Sequence, residues 1–274
     1  MIAAALADRS RWCREEALWL APVTLIAALL LLLAQGMGMV FGLSALSMIS
    51  LYGVKALRVL PTLLAIGIVI QLILAIRQDA GAPLAAFTRR VRQMATDPWM
   101  VAARLGPLLL MPAVFVGFSS LKMLMPRFIP FHLDDAFAAA DRMLFFGHQP
   151  WKLTHALFGS IPASLFIDRL YSFWVLLLSV AIVGFALFAP RADRAPFFLA
   201  FTIAWLLLGV VGAWLLASAG PCYSAFVGAA SAPEFAELVQ KLHHLSQATD
   251  GRINAPGWQD VLWRAHATET YSFG

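Results

Sequence analysis

Charge is scarce in this sequence. Asp, Glu, Lys and Arg make up 13% of its 274 residues, about half the share found in an ordinary soluble domain, and 61% of the chain is hydrophobic. That balance excludes a conventional soluble domain. It also leaves no basic patch for nucleic acid, because the net charge of +5 is spread over arginines suited to an anionic lipid surface. Cysteine is scarcer still. Cys13 and Cys222 make neither a disulfide framework nor a metal site. His148 and His155 are seven apart across Pro150, and no carboxylate or thiolate spacing completes a metal set around them. No cofactor is implied. A small-residue cleavage site is absent after residue 34, and Asp8, Glu15 and Glu16 interrupt the basic N-terminus, so the first apolar run reads as a retained anchor.

Long apolar runs are what the chain does have. They fall at about 17–34, 57–76, 105–125, 170–189 and 195–219, each near the roughly 20 residues a helix needs to cross a bilayer. Lipid offers no partner to backbone N–H and C=O groups, and these runs lack period-2 alternation, so they predict helices rather than barrel strands. The expected fold is an all-α, polytopic membrane bundle of five spans, with interfacial helices between them. Residues 36–53, rich in Gly, Ser and Met, are a candidate sixth.

Orientation follows from where the arginines fall. With five spans, one side collects Arg9, Arg11, Arg14, Arg77, Arg89, Arg90, Arg92, Arg104, Arg191 and Arg194, which favours that side as cytoplasmic. Residues 126–168 and 220–274 are then expected on the outer face of a plasma membrane, the bacterial inner membrane. Cys13 and Cys222 fall on opposite sides and are not expected to pair. Three regions result: 1–104 with two or three spans and a basic loop, 105–219 with three spans and the outer segment, and 220–274 as an outer tail.

The outer segment FIPFHLDDAFAAADRMLFFGHQPW, residues 128–151, concentrates polar groups between apolar runs. A helix over 133–146 would gather Leu133, Phe137, Ala140 and Leu144 on one face and Asp134, Asp135, Asp141 and Arg142 on another, as in a helix lying along the membrane surface. Asp134 and Asp141, seven apart, share a face and could turn two carboxylates toward one cavity; a solvated helix face is the plainer alternative. Gly147, Pro150 and Pro162 break the helix and return a short piece, 151–158, with Trp151 as an interface anchor. Lys122 is the one charge within an apolar run, placed either to snorkel to the interface or to bind an anionic head group. Tyr171, Ser172 and Trp174 open the fourth run beside Asp168 and Arg169, and Gly220 and Pro221 stop the fifth. In the tail, 234–247 suits a short amphipathic helix with Phe235, Leu238 and Leu242 on one side.

These signals stand in one order: Lys122, Ile129-Pro130-Phe131, Asp134-Asp135, Asp141, Leu144, Gly147, Pro150-Trp151, then FIDRLYSFW at 166–174 and WLLASAGPCY at 214–223. From about 118 to 274 the chain resembles the inositol phosphotransferase branch of the type 2 phosphatidic acid phosphatase superfamily. The resemblance implies an integral membrane enzyme class that moves phosphoryl or phospho-head groups on lipids. It implies a phospho-histidine mechanism in which one histidine, in a segment like S-A-x-P-S-x-H, attacks phosphorus and a second protonates the leaving oxygen. Neither segment occurs in these 274 residues, and none of His132, His148, His155, His243, His244 or His266 stands in such a motif. No catalytic residue is carried across. The resemblance leads to the expectation of a chain cut short before its catalytic half and inactive alone, its partners being membrane lipids and, if any, complementing helices or further copies. What carries over is the head-group side: Lys122, Asp134, Asp141, Asp168, Tyr171, Pro221 and Tyr223. A non-catalytic lipid- or partner-binding membrane protein is the alternative, and a transporter subunit a more distant one, since polar mid-span residues and internal repeats are lacking.

Overall fold

The computed structural model describes residues 2–45, 61–62, 64–73, 75–77, 81–96 and 98–267. Every regular element among them is helical. Four helices are long and apolar enough to cross a membrane. They lie in α1 (Ile2–Met39), α4 (Pro98–Phe128), α7 (Ile161–Phe188) and α8 (Arg191–Leu215). The expected run at 57–76 is a shorter apolar helix, α2 (Leu64–Arg77), and 57–60 lie outside the described residues. A continuous helix over 36–53 does not form: α1 ends at Met39, Val40 to Gly42 turn, and Gly42 takes a φ of 67°. The rest of that stretch, 46–53, lies outside the described residues. The shorter helices are α3 (Pro83–Thr96), α5 (Asp134–Leu144), α6 (Pro150–Phe158), α9 (Ala232–Gln247) and α10 (Ala255–Ala267).

The chain divides into two compact units, 1–124 with 178–211, and 125–177 with 212–274. In the first, α1 is apolar all round from Ala17 to Ala34, yet Trp19, Val23, Ala27, Leu30 and Ala34 are buried while Leu18, Leu25, Leu29, Leu32 and Leu33 are exposed. The buried set recurs at three- and four-residue steps and therefore forms one stripe. It packs with Met111, Val114 and Leu121 of α4, Ile182 and Ala186 of α7 and Phe198 of α8. The exposed leucines form the face a bilayer would cover. Because lipid is as apolar as leucine, helices in a membrane associate through close backbone approach rather than hydrophobic burial. Gly117 provides it: a Cβ there would lie 2.7 Å from Cβ of Leu30. Trp19 stacks on Phe198 with ring centroids 5.8 Å apart, so α1 and α8 run side by side with Glu16 level with Arg194. Within α8, Trp205–Gly212 is wound as a π-helix, and the edge of Phe118 meets Trp205 at 4.6 Å.

The second unit has a small core of Ala138, Phe235 and Leu238, with Trp151 and Leu242 against it. The expected apolar side of α9 is thus the side it buries. For α5 the burial is inverted. Asp134 and Ala138 are its buried residues, while Phe137 and Leu144 are 41% and 71% exposed. Asp134 is turned into the protein while Asp135 is exposed and Asp141 and Arg142 are half-buried, and the large apolar side chains of the helix are left out.

Candidate functional site

Three aspartates of the second unit fasten the tail to the helices that precede it. Asp134 starts α5 and is 9% exposed. Its carboxylate accepts from the Ser218 hydroxyl at 2.8 Å, the Ala219 N–H at 3.1 Å and the Gly220 N–H at 2.8 Å. Gly220 needs its lack of a side chain, since its φ is 89°, and Pro221–Tyr223 follow as a single 3-10 turn. Next to it, Asp135 accepts from the Ala230 N–H at 3.1 Å and from the N–H and hydroxyl of Ser231, both at 2.7 Å. These are the free donors in front of α9. Asp168, on α7, does the same for α10: it accepts from the Asn254 N–H at 3.0 Å, the Asn254 side-chain amide at 3.3 Å and the Ala255 N–H at 3.2 Å. The first N–H groups of a helix have no partner within it and carry the positive end of its dipole, so a carboxylate from another helix both satisfies and stabilises them. Pro233 and Pro256, near the starts of α9 and α10, have no N–H to satisfy.

A second polar knot lies beside the first. Arg142 pairs with Glu234. Gln149, 3% exposed, donates its amide to the Glu234 carboxylate at 2.7 Å and to the Ala138 carbonyl at 3.1 Å. Trp151 donates its ring N–H to the Glu234 carbonyl at 3.2 Å. The Gln149 amide, and then Arg142, hold the Glu234 carboxyl below its usual range; the hydroxyl and N–H of Ser231 do the same for Asp135. After the 3-10 turn, the Tyr223 hydroxyl donates to the Gln259 carbonyl at 3.1 Å, and the Gln259 amide donates to the sulfur of Cys222 at 2.9 Å. Cys222 is a free thiol. Burial pushes its pKa and that of Tyr223 upward. Trp263 stacks on Phe226 at 4.6 Å and on Tyr223 at 5.8 Å.

Of the residues expected at a head-group site, Asp134, Pro221 and Tyr223 are brought together around Gly220. Asp168 belongs to the start of α10. Asp141 is half-buried and accepts no side-chain hydrogen bond among the described residues, whereas the oxygens of Asp134 are occupied by backbone and serine donors. Tyr171 is 71% exposed on α7. Lys122 is exposed on α4, its ammonium 5.9 Å from the ring of Phe118. Asp135, Gln149 and Glu234 were not expected at this site. The serine and glutamate three apart at Ser231 and Glu234, a pattern common at helix starts, was the available signal for two of its partners. Comparison with protein-family models, with curated proteins and with solved structures finds no match.

Proposed function

We propose that this chain is a polytopic membrane protein of the lipid phosphatase and phosphotransferase type, facing phospholipid or inositol-phosphate head groups, and that these 274 residues do not turn over lipid by themselves. One observation carries the reading. Two segments of the resemblance, around Asp134 and Ser218–Tyr223, lie 86 positions apart in sequence, yet the Asp134 carboxylate takes the Gly220 N–H; Asp168, in a third segment, holds the start of α10 instead. The first contact supports the reading. The head-group contacts in this reading are Asp141 and Tyr171 of the second unit and, taken separately, Lys122 of the first, for none of which a side-chain hydrogen bond or ion pair is found among the described residues.

A non-catalytic lipid-binding protein is the second reading. It is favoured by the same carboxylates, because an aspartate that accepts three hydrogen bonds from the fold has little capacity left for a proton or a substrate. The test uses the chain in nanodiscs containing phosphatidylinositol or phosphatidate. Anionic lipid should be retained over phosphatidylcholine, Lys122→Met should weaken retention several-fold, and soluble inositol phosphate should compete. Unchanged retention in the variant overturns the head-group role of Lys122. Phosphatase turnover that any single histidine substitution abolishes overturns the claim that the chain is inactive.

The span count in this proposal is five. Glu16 of α1, Arg104 and Arg194 near the starts of α4 and α8, and the Leu187 carbonyl near the end of α7 gather together, which supports putting these four points at one membrane face; in this reading a single crossing by α2 returns the chain between Met39 and Pro98. The arginine-rich face is then cytoplasmic, with 126–168 and 220–274 outside a bacterial inner membrane. A cysteine introduced by Asp250→Cys, in a chain also carrying Cys13→Ser and Cys222→Ser, should react with an impermeant maleimide in intact cells. Labelling only after lysis reverses the orientation.

A further inference from the structure

The four helix ends of the first unit gather three guanidinium groups around two carboxylates. Glu15 and Glu16 come from α1, Arg104 from α4, Arg191 and Arg194 from α8. Arg194 is 3% exposed, as is Glu16, and the two pair at 2.8 Å. Arg191 bonds the Glu15 carboxylate at 2.6 Å and the Glu15 carbonyl at 3.1 Å. The second oxygen of Glu16 is taken by the ring N–H of Trp19 at 2.5 Å. Arg104 pairs with no carboxylate among the described residues. It donates to the Leu187 carbonyl, and it lies close enough to Glu16 and Arg194 to feel both charges.

Two features make this more than a clamp. The cluster has three positive charges and two negative, in surroundings where an uncompensated charge is costly. In addition, Nε of Arg104, of Arg191 and of Arg194 are each buried without a hydrogen-bond partner. A buried donor normally finds an acceptor; the Glu16 carboxylate lies 3.8 Å from Nε of Arg191, beyond hydrogen-bond reach, and no other carboxylate among the described residues pairs with the three. Arg104 and Arg191 are the partly exposed members, so the cluster has a side open to its surroundings. The missing component is an anion with several acceptor oxygens that match guanidinium geometry, as a phosphate does.

We propose that Arg104, supported by Arg191 and Arg194, forms a binding site for a phosphate oxyanion, occupied in the membrane by the phosphodiester of an anionic lipid. The depth argues for a lipid: all three arginines sit in the first turns of membrane-spanning helices, where lipid phosphates lie. This site is independent of the head-group reading of Lys122, Asp141 and Tyr171, and can fail or stand without it.

The experiment is native mass spectrometry of the full chain in mild detergent with added phosphatidylglycerol, phosphatidylcholine or inorganic phosphate. Phosphatidylglycerol should stay bound at least five-fold more than phosphatidylcholine. Arg104→Gln should remove that preference, and Arg104→Lys should keep only part of it, since an ammonium lacks the two-pronged fork. Lys152→Gln, at an exposed position on α6 in the second unit, should leave it intact. Equal retention of both lipids by the unaltered chain overturns the proposal, as does an Arg104→Gln chain of unchanged preference. Retention of inorganic phosphate with no preference between the lipids identifies a free oxyanion as the occupant and overturns the lipid assignment. The comparison of lipids on the unaltered chain decides the matter even where a substituted chain does not fold.

Discussion

The carboxylate of Asp134 accepts the backbone N–H of Gly220 at 2.8 Å, from a residue whose φ of 89° puts that N–H where a side-chain-bearing residue would rarely place it. The pair joins the start of α5 to the point where the chain leaves α8, and it explains why polar residues interrupt an otherwise apolar sequence there.

Asp134→Ala should be among the most damaging substitutions in the second unit. It strands three donors, two of them backbone, beside a buried carboxylate site. Hydrogen bonds to a charged acceptor contribute roughly 1.5–3 kcal/mol each and are not additive, so a loss of about 3 kcal/mol is expected. The apparent unfolding midpoint of the chain in detergent should fall by several degrees. Asp134→Asn should recover part of the loss because its carbonyl oxygen can keep one of the contacts; equal midpoints for Asp134→Ala and the unaltered chain would assign the residue no structural weight.

In the first unit, Glu16→Ala should cost about 3–5 kcal/mol, the range for removing one member of a buried ion pair. Both side chains of the Glu16–Arg194 pair are nearly inaccessible, so the arginine is left charged and unpaired. Replacing both residues, Glu16→Met with Arg194→Met, should cost much less than the single change. Unfolding in mixed micelles checks the order of the three chains.

Stability should fall on acidification below about pH 4. The Asp135 and Glu234 carboxyls are held below their ordinary values, chiefly by the Ser231 hydroxyl and the Gln149 amide. A carboxyl whose folded pKa is depressed adds stability that is fully present above its unfolded pKa and is lost as pH falls through the folded one. Ser231→Ala should weaken this pH dependence by raising Asp135 toward its ordinary value. A chain equally stable at pH 3 and pH 6 would contradict the assignment.

Cys222 should be a slow thiol. Burial raises its pKa, with the Gln259 amide only partly opposing, so little thiolate exists at neutral pH. In a Cys13→Ser chain, alkylation by iodoacetamide at pH 7.5 should be several-fold slower than that of a free cysteine and should accelerate above pH 9. Gln259→Ala should slow it further.

The sequence by itself determined the membrane class and the helical fold, because runs of about 20 apolar residues admit one solution in lipid. It also placed the α5 and α9 helices and the faces along them, since both depend on local periodicity. Which residues of α5 turn inward was decided by tertiary structure: Asp134 is drawn in by the donors of Ser218–Gly220, and Phe137 and Leu144 stay exposed. The partners of Asp134, Asp135 and Asp168 lie 84–96 positions away, and no local pattern names the backbone N–H groups that a carboxylate will cap. The same holds for Glu16, Arg104 and Arg194. In the sequence they are charges at the ends of separate apolar runs, readable as membrane-face markers. They became one cluster only when close approach at Gly117 and the Trp19–Phe198 stack set α1, α4 and α8 in register.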